Sequence, residues 1–267
     1  MQSGQDYEKQ IGENNEFSCA FQMVIGDRSE QQDNFGYVLY PNEGLIVICD
    51  GMGGINGGKR ASEAAVSSII AEYTANRLND DVSGFLTEAA IHASTVVHDL
   101  KDETGKLLGA GSTMVAIVIK NRKLYWNSVG DSRAYLMRDG QYIQLTTDHT
   151  YRTVLNGQLK EGMIGQEKFS RENSGRQAEA LLSYLGSVPL ELIDFNEEPI
   201  DLQSGDRLIL MTDGLYKYVE EKIVSGILQN FHSLEDSLQA LEMQASRISH
   251  KEERSRDNMT VAIIQMK

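Results

Sequence analysis

Cysteine is nearly absent: Cys19 and Cys49 are the only two in 267 residues. Each sits inside an apolar run, so they read as small core residues of a reducing compartment, with no disulfide framework and no thiolate metal site. Proline is as scarce, 3 against 24 glycines, and no Gly/Ser-rich or Gln/Asn-rich tract appears, which excludes a linker between separate domains. Long apolar runs are missing too. The longest, Leu45-Ile46-Val47-Ile48-Cys49 and Met114 to Ile119, fall far short of the roughly 20 residues a spanning helix needs. Met1 to Phe17 is polar and lacks a basic stretch followed by an apolar one, so no secretory signal is expected and the chain is read as cytoplasmic. Positive charge is in deficit, 25 Lys+Arg against 39 Asp+Glu, for a formal net charge of −14 at pH 7. Such a field repels phosphate backbones, and no basic run offsets it, so nucleic acid is not an expected partner.

What is present is an ordinary globular composition, 40% hydrophobic and 24% charged, long enough to bury a sizeable core. The expectation is a polar extension over residues 1–16 and a single domain over 17–267, acting as a monomer. Strands are expected at Phe17 to Ile25, Phe35 to Tyr40 and Leu45 to Cys49, the last two joined through the Pro41-Asn42-Glu43-Gly44 turn. Ala61, Ala65, Ile69, Ile70 and Tyr73 recur at helical spacing after Gly57-Gly58, and Ser83 is placed as the cap of a second helix carrying Phe85, Leu86, Ala89, Ala93, Val97 and Leu100. Thr113 to Lys120, Lys123 to Val129, Ala134 to Arg138 and Tyr142 to Leu145 are separated by short turn signals and read as one antiparallel meander. Residues 148–187 are polar and weakly periodic, an insertion of short helices and loops. Leu208 to Thr212 is a buried strand, two amphipathic helices follow, and Met259 to Met266 closes the chain as a strand. Blocks of strands and helices, without βαβ alternation, predict an α+β fold of mostly antiparallel sheets covered by helices.

Two apolar strands end alike, in Asp50-Gly51 and Asp213-Gly214, while Asp257-Asn258 precedes the last strand. If that strand runs antiparallel to the other two, Asp50, Asp213 and Asp257 gather at one end of a sheet. Asp33 and Asp131, each beside a strand end, reach the same rim. Five close carboxylates repel one another, and a hard divalent cation is the usual remedy. Asp-Gly is also a common turn dipeptide, and Asp139-Gly140 is read as only that. A glycine lets backbone approach a ligand, so the Gly51 carbonyl can face an ion. Gly53, Gly54, Gly57 and Gly58 read as the opening of a helix, since the Lys-Ser/Thr ending of a phosphate-binding P-loop is missing.

The order of these motifs resembles the metal-dependent, type 2C protein serine/threonine phosphatases of bacterial type. The resemblance runs through Arg28-Ser29-Glu30-Gln31-Gln32-Asp33-Asn34, Asp50-Gly51-Met52-Gly53-Gly54, Gly111-Ser112-Thr113, Gly130-Asp131-Ser132-Arg133, Thr147-Asp148-His149, Gly205-Asp206-Arg207 to Thr212-Asp213-Gly214, and Arg256-Asp257-Asn258-Met259-Thr260. It implies a four-layer αββα architecture, two packed mostly antiparallel sheets flanked by helices on both sides, with the 148–187 insertion as a flap. It implies Mn²⁺ or Mg²⁺ as cofactor, with Asp50 bridging two ions and Gly51 offering its carbonyl to one. Asp213 and Asp257 complete the other ion, Asp33 holds an outer-shell water, and Asp131 with Asp213 forms a weaker third site. Arg28 grips the substrate phosphate, for which a planar, permanently charged fork is suited. The implied reaction is hydrolysis of phosphoserine or phosphothreonine in the targets of a serine/threonine kinase, by a water shared between the two ions.

Three positions depart from the pattern of many relatives. Met52 replaces a proposed proton-donating histidine, Gln32 replaces an acidic residue, and Lys217 stands where an Asp is common. His149 lies at the entrance to the insertion. Lys217 and the polar insertion motivate the competing reading, a non-catalytic scaffold that binds phosphoproteins.

Overall fold

Strands that are apolar on both faces need cover on both sides, and this chain supplies it by stacking two sheets between two layers of helix. In the computed structural model, which describes residues 7–53, 57–76 and 80–267, the chain opens with strands β1 (Tyr7–Glu13), β2 (Phe17–Val24), β3 (Asp33–Tyr40) and β4 (Glu43–Met52). Helices α1 (Gly57–Asn76) and α2 (Val82–His98) follow, then β5 (Gly111–Ser112), β6 (Met114–Lys120), β7 (Lys123–Val129), β8 (Arg133–Arg138) and β9 (Gln141–Gln144). The insertion forms α3 (Tyr151–Lys160), α4 (Gln166–Asn173) and a 3₁₀ turn at Arg176–Glu179. After β10 (Asp194–Phe195), β11 (Ile200–Asp201) and β12 (Arg207–Met211) come α5 (Asp213–Tyr216), α6 (Glu221–Asn230), α7 (Leu234–Glu252) and β13 (Met259–Met266).

One sheet has the order β1-β2-β13-β12-β8-β9, the other β10-β7-β6-β4-β3, with β11 on β7 and β5 on β4. Strand periodicity divides the side chains between three cores. On β4, Leu45, Val47 and Cys49 pack under α1 and α2, while Ile46 and Ile48 face the other sheet. On β12, Leu208 and Leu210 meet them from across the sandwich, and Ile209 and Met211 turn outward beneath α6 and α7. Phe21 stacks on Phe35 at 4.9 Å and on Tyr37 at 4.6 Å, so aromatic contacts join the sheets as well. Cys19 and Cys49 are free and buried, and burial pushes the Cys19 thiol up to about 12, away from thiolate chemistry. Among the described residues no helix is long and apolar enough to cross a membrane.

Three local expectations are corrected. The stretch expected as a single meander is two hairpins in different sheets: β6 pairs β7 in one and β8 pairs β9 in the other. Turn residues signal where the chain reverses, but which sheet the next strand joins is set by long-range packing. Tyr7–Glu13 is also no loose extension. It pairs with β2 from Tyr7↔Val24 to Glu13↔Ser18, and its polarity is that of an edge strand with little cover. Residues 1–6 lie outside the described residues, as does Gly54. Finally, α2 is capped by Asp81, whose carboxylate accepts from the Gly84 N–H at 2.9 Å. Ser83 sits in the first turn and donates to the Asn196 carbonyl at 3.0 Å.

Candidate active site

β4 and β12 both lead their aspartates to the same end of the sandwich, but from different sheets. The expectation that Asp50, Asp213 and Asp257 share one sheet is therefore corrected. β13 is antiparallel to β12, as expected, whereas Asp50 arrives on β4 across the interface, register partner of Asp33 on β3. Asp131 enters from the turn that carries the chain between the sheets, and Gly130 there has φ +97, a left-handed conformation that favours glycine. Asp50, Gly51, Asp131, Asp213 and Asp257 line one cavity of about 300 Å³, with Arg28 at its edge. Asp33 lies beneath it, 4% exposed.

Two glycines make the convergence close. A Cβ on Gly51 would collide with the carbonyl oxygens of Gly58 and Gln32, and one on Gly214 with that of Asn258. Gly214→Ala is therefore expected to push α5 away from the residues before β13, costing about 1–3 kcal/mol and separating Asp213 from Asp257. A denaturant midpoint within error of the native one would contradict this.

The electrostatics are those of a crowded acidic pocket. Burial pushes the Asp33 carboxyl up to about 7, against the Thr212 hydroxyl that donates to its Oδ2 at 2.8 Å, and the charges of Asp213 and Asp257 raise it further. Its buried Oδ1 makes no hydrogen bond of ordinary geometry, although the Thr260 hydroxyl also faces the carboxylate and lowers its pKa. Asp50 is held well above the ordinary carboxylate range, first by burial and then by Asp33, Asp213, Asp131 and Asp257. Burial and Asp213 raise Asp131 to about 6, opposed by Lys217 and the Tyr216 hydroxyl. An acidic pocket with an orphaned buried oxygen suits hard divalent cations, so the donor set fits Mn²⁺ or Mg²⁺. Among the described residues no three ligating side chains stand close enough to form a cage on their own, and cations of the chain itself engage two of the aspartates. Arg28 Nη2 lies 2.6 Å from Asp257 Oδ2, and Lys217 Nζ lies 2.6 Å from Asp213 Oδ2.

Supporting residues without a sequence-level role surround the cluster. The Thr113 hydroxyl accepts the Asp50 N–H at 2.9 Å and pairs with the Ser132 hydroxyl at 2.7 Å. The Asn258 amide accepts from the Gln32 N–H at 2.8 Å and donates to the Ile25 and Glu30 carbonyls. Tyr216 donates to Asp131 Oδ2 at 3.0 Å, and its ring lies under Arg133, 3.8 Å from the ring centroid, which Asp148 clamps in turn. Asn258, Thr113 and Arg133 lie in the motifs quoted above; Tyr216, on a helix of four residues, has no periodic signal. His149 is not among the residues lining the cavity. Its Nδ1 accepts the Gly130 N–H at 3.2 Å, and burial lowers its pKa, so it steadies the turn that carries Asp131 as a neutral imidazole.

The family model described as Protein phosphatase 2C matches residues 12–153. The Streptococcus pneumoniae protein phosphatase PhpP is 28% identical, over 90% of this chain and 93% of its own. The serine/threonine phosphatase stp of Listeria welshimeri is 26% identical, over 89% and 91%. Among solved structures, the Mycobacterium tuberculosis serine/threonine phosphatase PstP/Ppp superposes with a TM-score of 0.74 at 25% identity, over 94% of this chain and 99% of that one. With more than half of its length on the family model and its fold shared over nearly the whole chain, this protein belongs to the protein phosphatase 2C family.

Proposed function

We propose that the chain is a metal-dependent phosphatase that hydrolyses phosphoserine and phosphothreonine in proteins, the targets of a serine/threonine kinase, as a cytoplasmic monomer. The observation that carries this reading is the convergence of Asp50, Asp131, Asp213 and Asp257 on one cavity over Asp33, whose buried Oδ1 makes no hydrogen bond of ordinary geometry. A structural neighbour, the catalytic domain of PstP, was solved in complex with 2 manganese ions, with a TM-score of 0.73 at 25% identity over 94% of this chain and 98% of that one.

Asp50, the Gly51 carbonyl, Asp213 and Asp257 would hold the ions, and Asp33 would orient water from below. Bound divalent ions supply charge that neutralises phosphoryl oxygens and acidifies water. The chain's own part is to position. Thr113 fixes the Asp50 backbone, Asn258 ties the Gln32 loop to the segment that carries Asp257 into β13, and the glycines keep the elements close. Arg28, 57% exposed at its side chain, is free to exchange Asp257 for a phosphate dianion. Residues 148–187 form the flap, from which Glu179 and Leu181 line the cavity. Met52 lines it too but offers no proton.

The test is hydrolysis of a phosphothreonine peptide and of an aryl phosphate by the native chain, with Mn²⁺ and with a chelator. Turnover that requires Mn²⁺ is expected, and Arg28→Ala should lower kcat/KM for the peptide about 10–100-fold, the worth of a charge-assisted contact. Phosphopeptide binding without turnover over a wide Mn²⁺ range would instead establish the scaffold reading that Lys217 motivates.

A further inference from the structure

We propose that the Lys217 ammonium is a built-in cation of the Asp131–Asp213 side of the pocket: it takes the place of a divalent ion there and tethers the flap to the metal centre. The proposal rests on the reading that the carboxylate cluster binds divalent ions.

The placement of Lys217 is fixed by local structure. Its N–H donates to the Asp213 carbonyl at 3.1 Å at the end of α5, so its side chain lies one helical turn beyond the Asp213 carboxylate. Nζ lies 2.6 Å from Asp213 Oδ2 and 4.0 Å from Glu179 Oε2, and the charge of Asp131 also faces it. One oxygen of each carboxylate on this side is thus already engaged: Asp213 Oδ2 by the ammonium and Asp131 Oδ2 by the Tyr216 hydroxyl. Tyr216 is itself pinned beneath Arg133, which Asp148 grips through two nitrogens. A divalent ion completes its shell of about six oxygens with water, but here it would have only the second oxygen of each carboxylate and would sit against a fixed positive charge. An ammonium needs only acceptors for its three protons. On the other side of the pocket Arg28 holds Asp257 and also feels the charges of Asp50 and Asp213, but its side chain is 57% exposed against 35% for Lys217, so it is the cation freer to leave.

The second consequence concerns the flap. Glu179 belongs to the 3₁₀ turn of the insertion and also pairs with Arg152 of α3. Lys217 therefore stands between a carboxylate of the metal cluster and a carboxylate of the flap, so the flap is held by the chain itself and not by an added ion.

The test counts ions. Metal-free chain is titrated with Mn²⁺, free ion being followed by its paramagnetic resonance and bound ion by equilibrium dialysis. The native chain should saturate at two ions, and Lys217→Asp should take up a third. Three ions on the native chain, or two on a folded Lys217→Asp, would overturn the exclusion; should Lys217→Asp not fold, Lys217→Met, which removes the cation alone, takes its place and should likewise take up a third ion. Hydrogen exchange supplies a second readout. Amides of residues 176–181 should exchange about 2–5-fold faster in Lys217→Met and in Glu179→Gln, the size expected of a half-exposed ion pair, and unchanged rates would overturn the tether. A native chain that binds no Mn²⁺ refutes the metal reading beneath the proposal. Two ions on the native chain and three on the variant, without turnover in either, refutes only catalysis and leaves the Lys217 assignment supported.

Discussion

Asp50→Asn should lower turnover of a phosphothreonine peptide by at least about 10³-fold while raising the melting temperature of the metal-free chain. Both effects come from the same crowding. Asp50 lines the cavity, is held by burial and by four neighbouring carboxylates well above the ordinary range, and has its backbone fixed by Thr113. Its charge is thus costly in the metal-free fold and useful only to a cation. Asparagine keeps the shape and removes the charge, so repulsion among the aspartates falls as the capacity to hold an ion is lost. The measurement is a pair of melts, in chelator and in Mn²⁺, alongside the kinetics. The variant should melt higher than the native chain in chelator and gain little from Mn²⁺. A variant that melts lower in chelator would show that Asp50 is held by favourable contacts, and the electrostatic account of the site would fail.

How much of this was legible in the sequence depended on the range of the interaction concerned. An Asp at the edge of a wholly apolar run marks a strand end by local chemistry, after the run for Asp50 and Asp213 and before it for Asp257. That β4 lies in one sheet and β12 and β13 in the other was not legible, because nothing in Leu45 to Cys49 states which face meets which partner. The same gap joined β6–β7 to β8–β9 in one meander, although Gly130-Asp131-Ser132 carries the chain from sheet to sheet. Edge strand β1 carries no apolar signal because an edge needs little apolar surface, and Asp81 and Ser83 are both cap-forming residue types, so local sequence does not separate them. Lys217 was visible as a cation out of place. Its direction was not, since that depends on Asp213 one turn earlier and on Glu179 from the flap.

The stabilisation that Mn²⁺ gives the fold should grow as pH rises from about 5 to about 7. In the metal-free chain burial holds Asp33 at about 7 and Asp131 at about 6, against about 3.9 for an unfolded Asp. From about pH 4 upward the folded chain binds more protons than the unfolded one, so its stability falls as pH rises through both values, and Asp50, held well above the ordinary range, extends the fall further. A divalent ion binds only the ionised carboxylates, so it competes with protons over the same range and restores what ionisation removes. At about 100 times the dissociation constant the gain is about 2.7 kcal/mol, or about 5–10 °C for a domain of this size. Melts in Mn²⁺ and in chelator should therefore nearly coincide at about pH 5 and separate progressively through about pH 7 as Asp131, Asp33 and then Asp50 give up protons, and titration calorimetry should show proton release on binding. A gap that stays constant from about pH 5 to about pH 8 would mean that Asp33 and Asp131 are ionised throughout. The orphaned Asp33 oxygen would then have lost the burial argument that makes it part of the ion's site.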